Sequence, residues 1–108
     1  MPIRVTRGKK DDNVKAIAKA MEAYLEDHRD AKVALYRHNS VSIRIRVIDP
    51  TFRSMSKSER HALVWQYLEK LPEEVGEDIS MLVVLAPGEE KRSIGNLEFI
   101  DPSPSAIP

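Results

Sequence analysis

The chain has 108 residues, 42% hydrophobic and 31% charged, which predicts a single small domain with a modest core. Seventeen Lys and Arg offset seventeen Asp and Glu, and this balance excludes the overall basic excess that drives nonspecific nucleic-acid binding. The absence of cysteine excludes disulfides and thiolate chemistry, and it is typical of a reducing compartment. No apolar run reaches the length of a signal peptide or a membrane span, so we expect a cytoplasmic protein without membrane contact.

The chain begins with a polar, basic stretch that has no regular hydrophobic pattern. We predict a flexible basic arm over residues 1–10. From Asp12 onward, apolar residues recur at helical spacing and charged residues occupy the opposite side, which predicts the first helix. Asp11, Asp12 or Asn13 can accept the first free backbone N–H groups as its N-cap.

Two stretches of alternating apolar and polar residues follow and predict a β-hairpin. The first covers residues 31–37, a polar turn covers residues 37–40, and Pro50 ends the second stretch because proline donates no ladder hydrogen bond. A one-residue slip of the second strand would bury its two arginines, so the alternation determines the register. We expect its apolar set to face the helices and its arginines to face water: Val41, Ile43, Ile45 and Val47 on one side, Arg44 and Arg46 on the other.

The second helix has a recognisable beginning and end. Ser56 and Glu59 have the spacing of a capping box, in which each side chain bonds the other residue's backbone N–H group. Pro72 ends the helix because it cannot continue the hydrogen-bond pattern. Trp65 and Tyr67 both lie on this helix, and we expect one of them in the core and the other partly exposed.

The rest of the chain predicts one more short helix and a last strand. Residues 73–78 form a helical turn, and residues 79–86 are a continuous apolar run of strand length. The order helix, strand, strand, helix, short helix, strand predicts an α+β fold with helices on one face of a three-stranded sheet. We place this domain at residues 11–88 and predict that the proline-containing tail, residues 89–108, is disordered.

The segment of residues 52–68, FRSMSKSERHALVWQYL, resembles the BolA-like proteins in the spacing of its polar and apolar residues. That family has a type II KH-like topology, and its element order is the one predicted above. We expect His61 to hydrogen-bond the loop around Asp49, which gives it a structural rather than a catalytic role. The family motif would fall on Phe52, Ser56, Arg60 and His61, with Met55, Val64 and Leu68 at the family's aliphatic positions.

The resemblance also implies a partner, because BolA-like proteins hold an iron–sulfur cluster together with a glutaredoxin. The family has a cluster histidine at the start of the last strand, where this chain has Ser80, and a hydroxyl is a poor ligand for a soft iron centre. The family's second ligand would correspond to His38, which is only a weak metal candidate because a single imidazole cannot hold a metal. We therefore expect no cofactor and find little support for a glutaredoxin partner.

Basic residues along the second strand, the next loop and the start of the second helix form a candidate nucleic-acid surface. The positive N-terminal end of that helix would strengthen it. The chain lacks the Gly-x-x-Gly loop that true KH domains use, and ordinary solvated surface charge is the alternative interpretation. The candidate residues are Arg44, Arg46, Arg53, Lys57 and Arg60.

The sequence supplies no catalytic constellation, so we expect a non-enzymatic interaction or regulatory module that binds an unknown protein partner. The second hypothesis is a nucleic-acid-binding module that uses the basic strip. The third is iron–sulfur trafficking with a glutaredoxin, which the replacement of the family histidine by Ser80 weakens.

Overall fold

The computed structural model describes residues 3–5 and 11–90, and it confirms the predicted α+β fold and element order. A short strand at Ile3–Val5 corrects the prediction of a flexible arm for those three residues. The rest of the predicted arm, and the predicted tail from residue 91 onward, lie outside the described residues. The elements are β1 (Ile3–Val5), α1 (Asp12–Asp27), β2 (Lys32–Asn39), β3 (Ser42–Ile48), a 3₁₀ turn (Pro50–Ser54), α2 (Lys57–Leu68), α3 (Glu73–Gly76) and β4 (Ile79–Leu85).

The described strands form one mixed sheet in the order β1-β2-β3-β4. The predicted hairpin is the antiparallel pair β2–β3, and β4 lies parallel to β3. The strand that the sequence did not reveal, β1, adds to the free edge of β2 in parallel, with Ile3 opposite Val33. Three residues are too few for a pattern of alternation, so this strand depends on its pairing with β2.

The alternation in β3 determined its register as predicted. Ile43, Ile45 and Val47 are fully buried in the core, whereas Arg44 and Arg46 lie on the other face and are partly exposed. Burial of the apolar set against the helices fixes the pairing, because a slip by one residue would exchange the two faces.

The prediction for Val41 was wrong, and so was the position of the hairpin turn. The turn lies at Ser40 and Val41, and the Val41 side chain is 61% exposed. The Asn39 side-chain oxygen accepts a hydrogen bond from the Val41 backbone N–H at 2.9 Å, a local bond that stabilises a turn. Strand β2, the first strand of the hairpin, therefore continues through Asn39 instead of ending at Arg37, and it has a bulge after Arg37.

The core lies between the sheet and the helices. The N-cap of α1 is Asp11, whose carboxylate accepts a hydrogen bond from the Val14 backbone N–H at 3.0 Å. Buried side chains of α1 and α2 share one cluster with those of β2, β3 and β4. The helices cover one face of the sheet. On the other face Ala34 and Tyr36 form a separate buried pair, and Val83 and Leu85 are also buried. Among the described helices, none has the length and apolar character that crossing a bilayer would require.

Arg37 connects three parts of this fold. Its guanidinium lies 2.6 Å from Asp11 at the start of α1 and 3.0 Å from Asp78 just before β4. Asn13 donates a further hydrogen bond to Asp78 at 2.9 Å. The hydrogen bond from Arg37 lowers the pKa of the Asp11 carboxyl. These bonds join the first helix to the hairpin and to the last strand.

Candidate functional site

The loop after β3 is organised around a buried carboxylate. Asp49 is 2% exposed and accepts hydrogen bonds from the Thr51 backbone N–H at 2.8 Å and from the Tyr24 hydroxyl at 2.6 Å. The Nδ1 atom of His28 lies 3.3 Å from the same carboxylate oxygen that Tyr24 contacts. A buried carboxylate is stable only with such partners. Burial, followed by the hydrogen bond to Asp49, raises the pKa of Tyr24, so Tyr24 remains a donor.

The residues that hold this loop are not the ones the sequence suggested. We predicted the contact for His61, but it belongs to Tyr24 and His28, whose rings stack at 4.3 Å near the end of α1. His61 is half-buried on α2, and the described residues give it no hydrogen bond to Asp49. Burial and then the nearby Lys57 charge lower the pKa of His61, which favours the neutral imidazole.

Arg60 points into the domain rather than toward a ligand. Its side chain is only 12% exposed, and its Nε atom donates to the backbone carbonyls of Phe52 at 3.0 Å and Met55 at 3.1 Å. Its Nη1 atom contacts the Glu89 carboxylate at 2.7 Å and the Val84 carbonyl at 3.3 Å. Arg60 therefore fastens the loop and α2 to the last strand. Glu89, which we predicted to belong to a disordered tail, takes part in this arrangement.

The other residues of the predicted basic strip are partly or fully exposed, but Arg60 does not join them. Arg44 and Arg46 lie on the sheet face opposite the helices, and the Arg44 guanidinium donates to the Tyr36 hydroxyl at 3.2 Å. Arg53 and Lys57 are exposed on the 3₁₀ turn and at the start of α2.

The two residues considered as cluster ligands lie on different strands, β2 and β4. His38 lies toward the end of β2, where its ring meets Tyr36 edge-to-face at 6.2 Å. Ser80 is exposed at the second residue of β4. Within residues 3–5 and 11–90, no three His, Asp or Glu side chains are grouped so that they could hold a metal ion. A hydroxyl also remains a poor partner for soft iron.

Of the two aromatic residues on α2, Tyr67 is partly buried against the core and Trp65 is exposed, so neither occupies the core position that we predicted for one of them. Tyr67 meets Tyr24 edge-to-face at 5.2 Å and donates to Asp27 at 2.5 Å. The Trp65 side chain is 39% exposed. It borders a groove of about 400 Å³ between the end of α2 and α3. The groove is lined by Trp65, Leu68, Glu69, Leu71, Pro72, Glu73, Gly76 and Glu77.

This groove carries one sign of charge. Glu69 is the C-cap of α2, Glu77 is the C-cap of α3, and Glu73 opens α3. All three are exposed, and the ion pairs found in the described part of the chain include none of them. Lys70, the nearest basic residue in sequence, instead lines a separate groove between α1 and α2. Sequence reasoning missed this surface because its residues come from two helices and the loop between them.

Comparisons of the chain with protein-family models, with curated proteins and with solved structures found no match. The structure is a small α+β domain with two notable features. One is the hydrogen-bonded loop around Asp49, and the other is the acidic groove beside the exposed Trp65.

Proposed function

We propose that this chain is a non-enzymatic interaction module of the BolA-like class, that it acts in the cytoplasm, and that the groove beside Trp65 contacts a protein partner. The motif residues support this view because their contacts lie within the domain. Phe52 is buried in the core, Ser56 caps α2, and Arg60 binds backbone carbonyls. A motif used for such internal contacts builds a scaffold, and its function then belongs to the surface of that scaffold.

The observation that carries the proposal is the exposure of Trp65. Large aromatic side chains bury the most apolar area per residue, and interfaces are enriched in them. The described part of the chain has only two large apolar side chains that are exposed, Val41 at 61% and Trp65 at 39%. Val41 lies in a hairpin turn, but Trp65 borders a groove whose lining includes Leu68 and Leu71. A partner side chain could fill this groove and cover the indole.

These two exposed residues provide a matched experiment. The wild-type protein, Trp65→Ala and Val41→Ala are immobilised and used to capture proteins from the native cytoplasm, with quantitative mass spectrometry. We expect a protein that the wild type and Val41→Ala retain and that Trp65→Ala loses, while circular dichroism shows that all three remain folded. If Trp65→Ala retains the same proteins as the wild type, the groove is not the contact surface.

The alternative proposal is a nucleic-acid-binding module that uses Arg44 and Arg46, which are partly exposed on the sheet face opposite the helices. A gel-shift titration at increasing salt tests it, because phosphate contacts weaken steeply as salt rises. A salt-sensitive shift that disappears in Arg44→Gln and Arg46→Gln, but persists in Trp65→Ala, would favour this alternative over the protein-interaction module.

A further inference from the structure

We infer that the groove beside Trp65 receives a basic segment of the partner protein, with an arginine side chain against the indole. This inference rests on the proposed function and adds the chemistry of the partner. Three features of the groove carry it: acidic residues at the C-terminal ends of two helices, an exposed tryptophan and apolar lining residues.

The first feature is an unfavourable placement of charge. A helix carries partial negative charge at its C-terminus, where Lys or Arg is stabilising and Glu is not. Yet Glu69 and Glu77 are the C-caps of α2 and α3, and neither helix has a basic residue in its last turn. Local stability does not explain these residues. The carboxylates of Glu69, Glu73 and Glu77, together with the C-terminal end of α2, instead combine into a negative potential at the groove, although the chain as a whole is neutral.

The second and third features favour arginine over a simple cation. The face of an indole ring attracts a cation, and a guanidinium can also stack flat on it. Leu71 and Pro72 line the same groove, where they can contact the aliphatic part of a long basic side chain. A groove of about 400 Å³ has room for one or two such side chains. The site therefore suits a short peptide segment better than a metal ion or a polyamine.

The chain supplies its own probe, because Trp65 is its only tryptophan. The full-length protein is titrated with a synthetic arginine-containing peptide, and the Trp65 emission is recorded. Analogues with lysine, and with glutamine, in place of arginine are titrated in the same way. We expect saturable changes with the arginine and lysine peptides, tighter binding of arginine, weaker binding at higher salt and no binding of the glutamine analogue.

Removal of the two C-cap charges separates binding from folding. The double variant Glu69→Gln and Glu77→Gln should bind the arginine peptide about fivefold more weakly, given the usual strength of exposed charge pairs. Its midpoint of thermal unfolding should stay the same or rise, because a like charge leaves each helix end. Glu22→Gln is the control, since Glu22 is exposed on α1 and does not line this groove. This control should keep the wild-type affinity.

Several results would overturn the inference. The glutamine analogue could bind as well as the arginine peptide, the double variant could keep full affinity, or spermidine could change the emission as strongly as the peptide. Substitution of Arg7, Lys9 and Lys10 by glutamine could also change the Trp65 emission without any peptide, which would mean that the chain fills its own groove. The proposed function would survive each of these results if Trp65-dependent capture of a partner still occurred, and it would fail with the inference if capture also failed.

Discussion

Asp49 offers a direct test of how this fold is held together. The substitution Asp49→Ala removes the acceptor for the Tyr24 hydroxyl, which lies 2.6 Å away, and the cap of the Thr51 backbone N–H at 2.8 Å. Tyr24 is fully buried, so its hydroxyl cannot turn to water after the change. We therefore expect Asp49→Ala to detach α1 from the loop and lower the free energy of unfolding strongly.

The magnitude follows from the contacts that are lost. A hydrogen bond to a charged acceptor contributes about 1.5–3 kcal/mol, and the upper part of this range applies here because the loss leaves a buried hydroxyl without a partner. Loss of the side-chain cap adds about 1 kcal/mol. Release of a carboxylate from a buried site offsets part of this loss. The expected net decrease is about 3 kcal/mol, a large part of the roughly 5–15 kcal/mol that stabilises a domain of this size.

A double-mutant cycle tests the reasoning. Tyr24→Phe removes the donor and keeps the ring, and urea unfolding followed by circular dichroism gives the free energy of each variant. If Tyr24 and Asp49 interact as described, the double variant loses at least about 1 kcal/mol less than the sum of the single variants. Asp49→Asn is an intermediate case. Tyr24 and the Thr51 backbone N–H use different carboxylate oxygens, and Asn keeps only one of these acceptors, so its free energy of unfolding should lie between those of the wild type and Asp49→Ala. Additive effects, or a loss below about 1 kcal/mol in Asp49→Ala, would refute this account.

Three further predictions concern the helix cap, acid stability and the cluster. Ser56→Ala should lower the free energy of unfolding by about 1 kcal/mol without changing partner capture, and unaltered thermal melts would contradict this. The bond from Arg37 lowers the pKa of Asp11. This pair therefore stabilises the fold at pH values above about 3.9, the ordinary pKa of Asp, and the stabilisation is lost as the pH falls through the lowered pKa of Asp11. Arg37→Met should therefore flatten the acid limb of a stability–pH curve, and an unchanged limb would exclude the pair as its source. When the wild type is mixed with a glutaredoxin and iron–sulfur cluster components, we expect no absorption from a cluster shared by the two proteins, whereas Ser80→His should give some of this absorption. If the wild type does form such a complex and His38→Ala abolishes it, cluster handling becomes the preferred function.

The features that the sequence predicted well depend on neighbours in the chain. The capping box of Ser56 and Glu59 is present as expected, with hydrogen bonds of 3.2 and 2.8 Å, because both partners lie within one helical turn. The alternation in β3 placed Ile43 and Ile45 in the core for the same reason: a local period decides which face is buried. The exception is Val41, which lies in a turn where side chains of Asn39 and Arg37 bond the backbone.

The features that the sequence did not reveal depend on residues that are distant in the chain. Whether Arg60 points outward or inward cannot be read from its position on α2, because two of its acceptors, Val84 and Glu89, lie more than twenty residues away. Asp49 likewise finds its partners Tyr24 and His28 across the core, at the end of another helix. A long polar side chain has many possible acceptors, and only the packed fold selects among them.

The acidic groove depends both on residues that are neighbours in the chain and on the packing of two helices. Each of its glutamates can be read from the sequence, yet their common location at two helix ends appears only when α2 and α3 are packed together. The N-terminal end of α2 follows every local rule, with Ser56 as cap and Glu59 near the positive end, whereas its C-terminal end breaks the rule with Glu69. Sequences tend to break local rules where function requires it. In this domain that break lies beside Trp65, whose side chain is exposed.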